Sequence, residues 1–437
     1  MKLFNNGALN RRRFLTGTMA MGAASATLPL LGKAAFGAEA AKLEFEGWNY
    51  DPEFQNLVVG EFTAKNPDIA INFVAEPAAQ YIQKIIARFV GGNPPDLLYV
   101  RDQTLADWAD AEYIQPINNF PGWEEHTKGL IPFHLSGLEY KDKVWGLPYY
   151  GDHIAYVYNS DILQKAGVTA PPATWSELAD QAVAIKKAGL LEHPLMFPLK
   201  SNAGLHWWSA VYASGGSLFT ADGTPKFPDE DTTSLQILEF LVKAAQELDI
   251  LDPTSVQMGT AEGRLALAAG QVAFGSSARY DLKVINDPKT SKIPGLAKQV
   301  LFPSLTADGP HGTVGWTQMF SISADTKYPD QAWQALQYLT SPDVAKRYYL
   351  KNGVGYAYES LDSDPDISAE TGKWSDQGMF AKQGALAKAR EYITFSWAAE
   401  WEDFHMQQLQ EAVLGRKSAK DALQASADKA VALKKSA

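Results

Sequence analysis

Gly91-Gly92-Asn93-Pro94-Pro95-Asp96-Leu97-Leu98-Tyr99-Val100 runs a helix stop directly into a short, wholly apolar strand. Glycine and proline end a helix, and four apolar residues in a row suit a strand buried on both faces. Just upstream, Tyr81 to Val90 sets Ile82, Ile85, Ile86 and Phe89 on one side of a helix. Ile69 to Val74 reads as a strand, separated by Asn66-Pro67 from an earlier helix whose face is Phe54, Leu57, Val58 and Phe62. Asp51-Pro52 opens that helix with an N-cap and a proline at its first position. Leu43-Glu44-Phe45-Glu46-Gly47-Trp48 alternates as a first strand. Strand, helix, strand, helix, strand predicts an α/β fold with a parallel sheet covered on both faces. Ligands of such sheets sit beyond the carboxyl ends of the strands. Trp48 and Tyr50 after the first strand, and Arg101, Asp102 and Gln103 after the third, are therefore candidate contacts.

A second α/β block follows. Ile154 to Tyr158, Met196 to Leu199, Gln271 to Phe274 and Gln299 to Phe302 read as strands. Thr174-Trp175-Ser176-Glu177 is a capping box that opens a helix. Ser234 to Leu248 and Glu262 to Ala269 are helical, as is most of the tail from Glu402. Neither a repeat nor a flexible linker interrupts the chain. At 437 residues it exceeds the roughly 250–300 at which one core stops growing. Two lobes joined by strands are expected.

The formal net charge is −11, which argues against nucleic acid and anionic membrane surfaces as partners. The absence of cysteine removes disulfides, thiol nucleophiles, thiolate metal sites and a lipidated N-terminal cysteine. Residues 1–40 read as an export signal of the twin-arginine type. Arg11-Arg12-Arg13 precedes a weakly apolar run from Phe14 to Leu31, and Ala38-Glu39-Ala40 supplies a small-x-small cleavage site. Cleavage near Ala40 would leave a periplasmic protein that is not a lipoprotein.

Seven stretches, in order, resemble the bacterial extracellular solute-binding proteins of ABC importers, in their maltose-binding-protein-like branch. They are Gly91 to Leu97; Tyr140-Lys141-Asp142-Lys143-Val144-Trp145-Gly146-Leu147-Pro148; Tyr158-Asn159-Ser160-Asp161-Ile162-Leu163; Pro172-Ala173-Thr174-Trp175-Ser176-Glu177-Leu178; Gly270-Gln271-Val272-Ala273-Phe274; Ala332 to Leu339 with Ser341; and Gly415 to Leu423. Gly215-Gly216 also fits the order. Asp142 stands where the family usually has glycine, and Gly355-Tyr356-Ala357-Tyr358 lacks a common proline. The resemblance implies a two-lobed periplasmic-binding-protein fold of type II, each lobe a mixed β-sheet flanked by helices. One lobe would hold residues 41–152 plus 314–357 and the other 153–313 plus 358–437. It further implies a carbohydrate held in the cleft, hinge bending, delivery to the permease subunits of an ABC importer by peripheral docking at the inner membrane, a monomer, no cofactor and no metal.

Sugars offer hydroxyls at their edges and C–H groups on their faces, so a site needs amides, carboxylates and arginine together with aromatic rings. Trp48 either stacks on ligand or packs in the core, and Asp152 is either a ligand carboxylate or a hinge hydrogen-bonding group. Trp207 and Trp208 point about 100° apart on a helix, which predicts a platform role for at least one of them. Ser276 and Arg279 follow a buried strand; Gly315 and Trp316 sit where the chain should re-enter the first lobe; Trp401 and Tyr356 match family contact positions. A polyol, a glycerophosphodiester or an anionic sugar is the alternative ligand, with Arg101 and Arg279 as the basis for an acidic substituent. A secreted carbohydrate-active enzyme is the alternative of another class, but the seven histidines form no HExxH pair and no G-x-S-x-G elbow occurs.

Overall fold

The computed structural model describes residues 40–436, so the export-signal reading of residues 1–40 lies outside the described residues except for Ala40. The first block forms the strands and helices its sequence pattern predicts, but Leu57 and Ile86, expected on the buried helix faces, are exposed. Strand Ala41–Trp48 pairs in parallel with Ile69–Glu76 on one side and Leu97–Arg101 on the other. Asp51 caps helix Pro52–Lys65 by accepting from the Phe54 backbone N–H at 3.1 Å. Helix Tyr81–Val90 buries Tyr81, Ile85 and Phe89.

Beyond those three strands the long pairings are antiparallel. Strand Thr313–Ser323 runs antiparallel to Leu97–Arg101, and strand Leu147–Asn159 runs antiparallel to it in turn. Leu147–Asn159 then pairs antiparallel with Phe274–Ala278 and Ala297–Val300. The sheet is thus mixed, as the family resemblance implied, because two long strands return across it. The strand expected at Met196–Leu199 is absent as a ladder, and single bridges at Leu195 to Leu251 and Phe274 take its place. The strand expected over Gln271–Phe274 begins where that reading ended, at Phe274, because Ala273 bonds the Pro194 carbonyl outside any ladder.

Two apolar cores result. Phe45, Leu97, Val100, Phe320 and Tyr348 belong to the first; Tyr156, Trp175, Trp207, Leu238 and Leu409 belong to the second. Strand Leu147–Asn159 serves both. Ala155 and Val157 join the first core and Ile154 and Tyr156 the second, as the two-residue period of a strand requires. Its Gly151 has no room for a side chain, since an added Cβ would collide with the His134 ring and the Trp316 carbonyl. Asp142, in place of the usual glycine, has φ +58°, a left-handed conformation that aspartate tolerates.

Candidate functional site

A cavity of about 290 Å³ opens where the two crossover strands meet the end of strand Leu97–Arg101. Its aromatic lining is Tyr50, Tyr150, Tyr280 and Trp316. Trp316 is half-buried and meets Tyr280 edge-on at 6.4 Å, and Tyr50 stacks on Tyr150 at 6.2 Å. Asp102, Gln103, Thr260, Gln318 and Arg390 supply its polar groups.

Asp102 opens helix Asp102–Asp110 rather than a loop. One carboxylate oxygen accepts from the Gln103 N–H at 2.8 Å, and the other from the Thr317 N–H of the crossover at 3.2 Å. Arg390 reaches the same carboxylate at 3.5 Å. The Gln103 amide, turned so that its oxygen faces the guanidinium, accepts from Arg390 at 2.7 and 3.0 Å. Burial raises the Asp102 pKa while Arg390 opposes the shift. Two buried atoms of cavity-lining residues have no partner: the Nε donor of Arg390 and the Oε1 acceptor of Gln318. Unpaired buried polar atoms are costly.

The sequence reading did not name Arg390. It lies on an irregular segment with no periodic signal, and its position is fixed by what surrounds it. Residues Ala387–Lys388 add to the crossover strand at Thr313–Val314. The Tyr212 hydroxyl donates to the Ala389 carbonyl and accepts from the Glu391 N–H, both at 3.1 Å. The Glu391 carboxylate accepts from the backbone of Leu218 and Phe219. Tyr392 stacks on Trp208 at 4.6 Å and donates to Glu402, whose pKa burial raises.

Of the residues singled out from sequence, Tyr50, Asp102, Gln103 and Trp316 come together on this cavity. The others lie elsewhere. Trp207, Trp208 and Trp401 are fully buried in the second core. Helix Gly204–Ala213 is enclosed on nearly every side, which removes the premise that one of two adjacent tryptophans must face outward. Trp208 and Trp401 instead pack around Tyr392, one layer behind Arg390. Trp48 is buried beside Tyr99, with Arg101 over its ring at 5.0 Å. Ser276 bonds His206, which bonds the cavity residue Thr260. Gly315 accommodates Phe133, which would collide with any Cβ there. Tyr356 donates to Asp362 at 2.8 Å and lines a different cavity. Asp152 and Arg279 are tied to each other, with Arg279 held between Ala278 and Tyr280 of the cavity but facing away from it. Among the described residues no group of histidines and carboxylates is placed to hold a metal ion.

Residues 47–346 match the family model of the bacterial extracellular solute-binding proteins. The mannitol-binding protein of Pseudomonas aeruginosa is 23% identical over 343 residues, covering 76% of this chain and 76% of that protein. The maltotriose-binding protein of Pyrococcus abyssi is 23% identical over 325 residues, covering 72% of this chain and 65% of that one. The structure of the sugar-binding protein MalE from Xanthomonas citri superposes with a TM-score of 0.78 at 18% identity, covering 91% of this chain and 98% of that one. The fold is accordingly the two-lobed one of the MalE-type periplasmic binding proteins, and the chain belongs to the bacterial extracellular solute-binding protein family.

Proposed function

We propose that this protein captures a small neutral carbohydrate, a hexose or a hexitol, in the cavity of Trp316 and Arg390 and delivers it to an ABC importer. The observation that carries the reading is a cavity walled by four aromatic rings and lined by Asp102, Gln103, Gln318 and Arg390, the last two keeping unpartnered buried atoms, Oε1 and Nε. Family membership and the relatives that bind mannitol and maltotriose support the ligand class. At about 290 Å³ the cavity sits at the bottom of the roughly 300–1,000 Å³ usual for small-molecule sites, which suits one sugar unit rather than a chain. Neutrality fits the charges. Arg390 already faces Asp102, and Arg279, half of the basis for an anionic ligand, is neutralised by Asp152.

In this reading the two lobes comprise residues 41–152 plus 314–357 and 153–313 plus 358–437. The crossover strands bend, and ligand favours the closed form because Arg390 and Trp316 then contact it together. The chain is exported, cleaved near Ala40 and free of a lipid anchor, and it works as a monomer that docks on permease subunits. No helix among the described residues is long and apolar enough to cross a membrane. It is a carrier and not an enzyme: the Asp152 carboxylate, which an acid/base role would need free, is bound bidentately by Arg279. Calorimetry and tryptophan fluorescence across a panel of hexoses, hexitols and disaccharides, with chromatography for products, test the reading. Saturable binding of a one-unit sugar without turnover supports it; product formation overturns it.

A further inference from the structure

We propose that a second cavity, behind the crossover, is a binding site for a primary ammonium carrying a small aromatic body. The cavity measures about 220 Å³ and shares no lining residue with the one described above. Its floor is Gly151 to His153 of the crossover strand. Ile131 and Phe133 wall one side, Phe380, Ala381 and Ala385 of helix Gln377–Ala385 the other, and Tyr356 completes the apolar surface.

The polar groups left free there all accept hydrogen bonds. Tyr356 is already engaged, donating to Asp362 and accepting from Gln377 at 2.7 Å. Asp152 is taken by Arg279 and by the N–H groups of His153 and Gly355. His153, only 1% exposed, keeps an Nε2 with no partner. Burial pushes its pKa down to about 4, so the ring is neutral at pH 7. Its Nδ1 lies 3.9 Å from the Asp152 carboxylate, and the tautomer that carries its proton on Nδ1 offers Nε2 as an acceptor. The half-buried Asp362 and the exposed Glu359 add two carboxylates, and no cationic side chain lines the cavity. Burial and the charge of Glu359 both raise the Asp362 pKa, so an incoming cation relieves an existing repulsion. Two carboxylates and an unpartnered imidazole nitrogen, all on residues of this lining, supply acceptors and negative charge for the N–H donors of an ammonium. The rings of Phe133, Tyr356 and Phe380 match a flat body and a nearby cation. This inference is independent of what occupies the front cavity.

The test is calorimetry and saturation-transfer NMR on the full chain with benzylammonium and benzyl alcohol at pH 7.5. Saturable amine binding is expected, with the neutral alcohol weaker by about tenfold or more. Glu359→Gln, at an exposed position, should weaken the amine about threefold or more, and Ala381→Phe should abolish binding while thermal melting confirms the fold. The site is overturned by equal affinity for amine and alcohol, by no saturable amine binding, by unchanged amine affinity in folded Ala381→Phe, or by loss of binding in Trp316→Ala instead.

Discussion

Arg279 and Asp152 form a bidentate pair, Nε to Oδ1 at 3.0 Å and Nη2 to Oδ2 at 2.6 Å, with both side chains fully withdrawn from water. The pair ties strand Phe274–Ala278 to the crossover strand, and each partner has a second tie. The Gly353 carbonyl accepts from Arg279 at 2.8 Å, and Gly355 donates to Asp152 at 3.0 Å. Phe380 lies 4.4 Å from the guanidinium. Two charges fully out of water are stable only as a pair. Arg279→Met should therefore lower the unfolding free energy by about 3–5 kcal/mol, because it strands the Asp152 charge. Arg279→Met combined with Asp152→Leu should recover most of that loss. Denaturant melts of both variants check this, and equal destabilisation by the single and double variants would contradict it.

Arg390→Ala removes the unpartnered Nε donor and the contact with Gln103. Carbohydrate affinity should fall by about 1.5–3 kcal/mol, roughly 10–100-fold, as expected for hydrogen bonds to a charged group. Gln318→Ala should act in the same direction by a smaller amount. Calorimetry on the ligand identified by the panel measures both.

Trp316 and Trp208 should separate cleanly. Trp316 is half-buried on the cavity, so Trp316→Ala should weaken ligand about tenfold or more and change stability little. Trp208 is fully buried against Tyr392 and Trp401, so Trp208→Ala should destabilise the fold by about 3–5 kcal/mol. Ligand binding with wild-type affinity should survive in whatever fraction of Trp208→Ala remains folded. Thermal melts beside fluorescence titrations read the two effects apart.

Stability should fall on mild acidification. Burial pushes His134, His206 and His405 down to about 3 and His153 to about 4. These folded-state values lie below the unfolded value of about 6.5, so the unfolded chain takes up protons that the native chain refuses. Stability is therefore full above about pH 6.5 and drops as pH falls toward 4, by up to about 1.4 kcal/mol per pH unit for each histidine. Asp102 and Glu402, raised by burial, have the opposite sign and blunt the fall, because their folded forms take up protons at a higher pH than their unfolded forms. Thermal melts at intervals from pH 7.5 to 5 test this, and His206→Asn should make the slope shallower by one proton. A flat profile would contradict it.

What was legible in the sequence was the local chemistry. The Thr174 capping box is present with both of its bonds, and Asp51 caps its helix as read. Gly151 and Gly315 could not be read as close-approach glycines, because the groups that exclude a side chain, His134 and Phe133, lie far off in sequence. Arg390 left no trace because tertiary contacts alone fix its backbone. Trp208 was misplaced because adjacency on a helix constrains direction, while burial on all sides is a property of the assembled lobe.

The most direct test of the account is a calorimetric titration of hexitols and hexoses into the wild-type protein and Arg390→Ala, with product analysis of the same samples. The account predicts one site that binds a single-unit carbohydrate unchanged, weakened roughly 10–100-fold in the folded variant. Wild-type affinity in Arg390→Ala, or conversion of the carbohydrate by the wild-type protein, would contradict it.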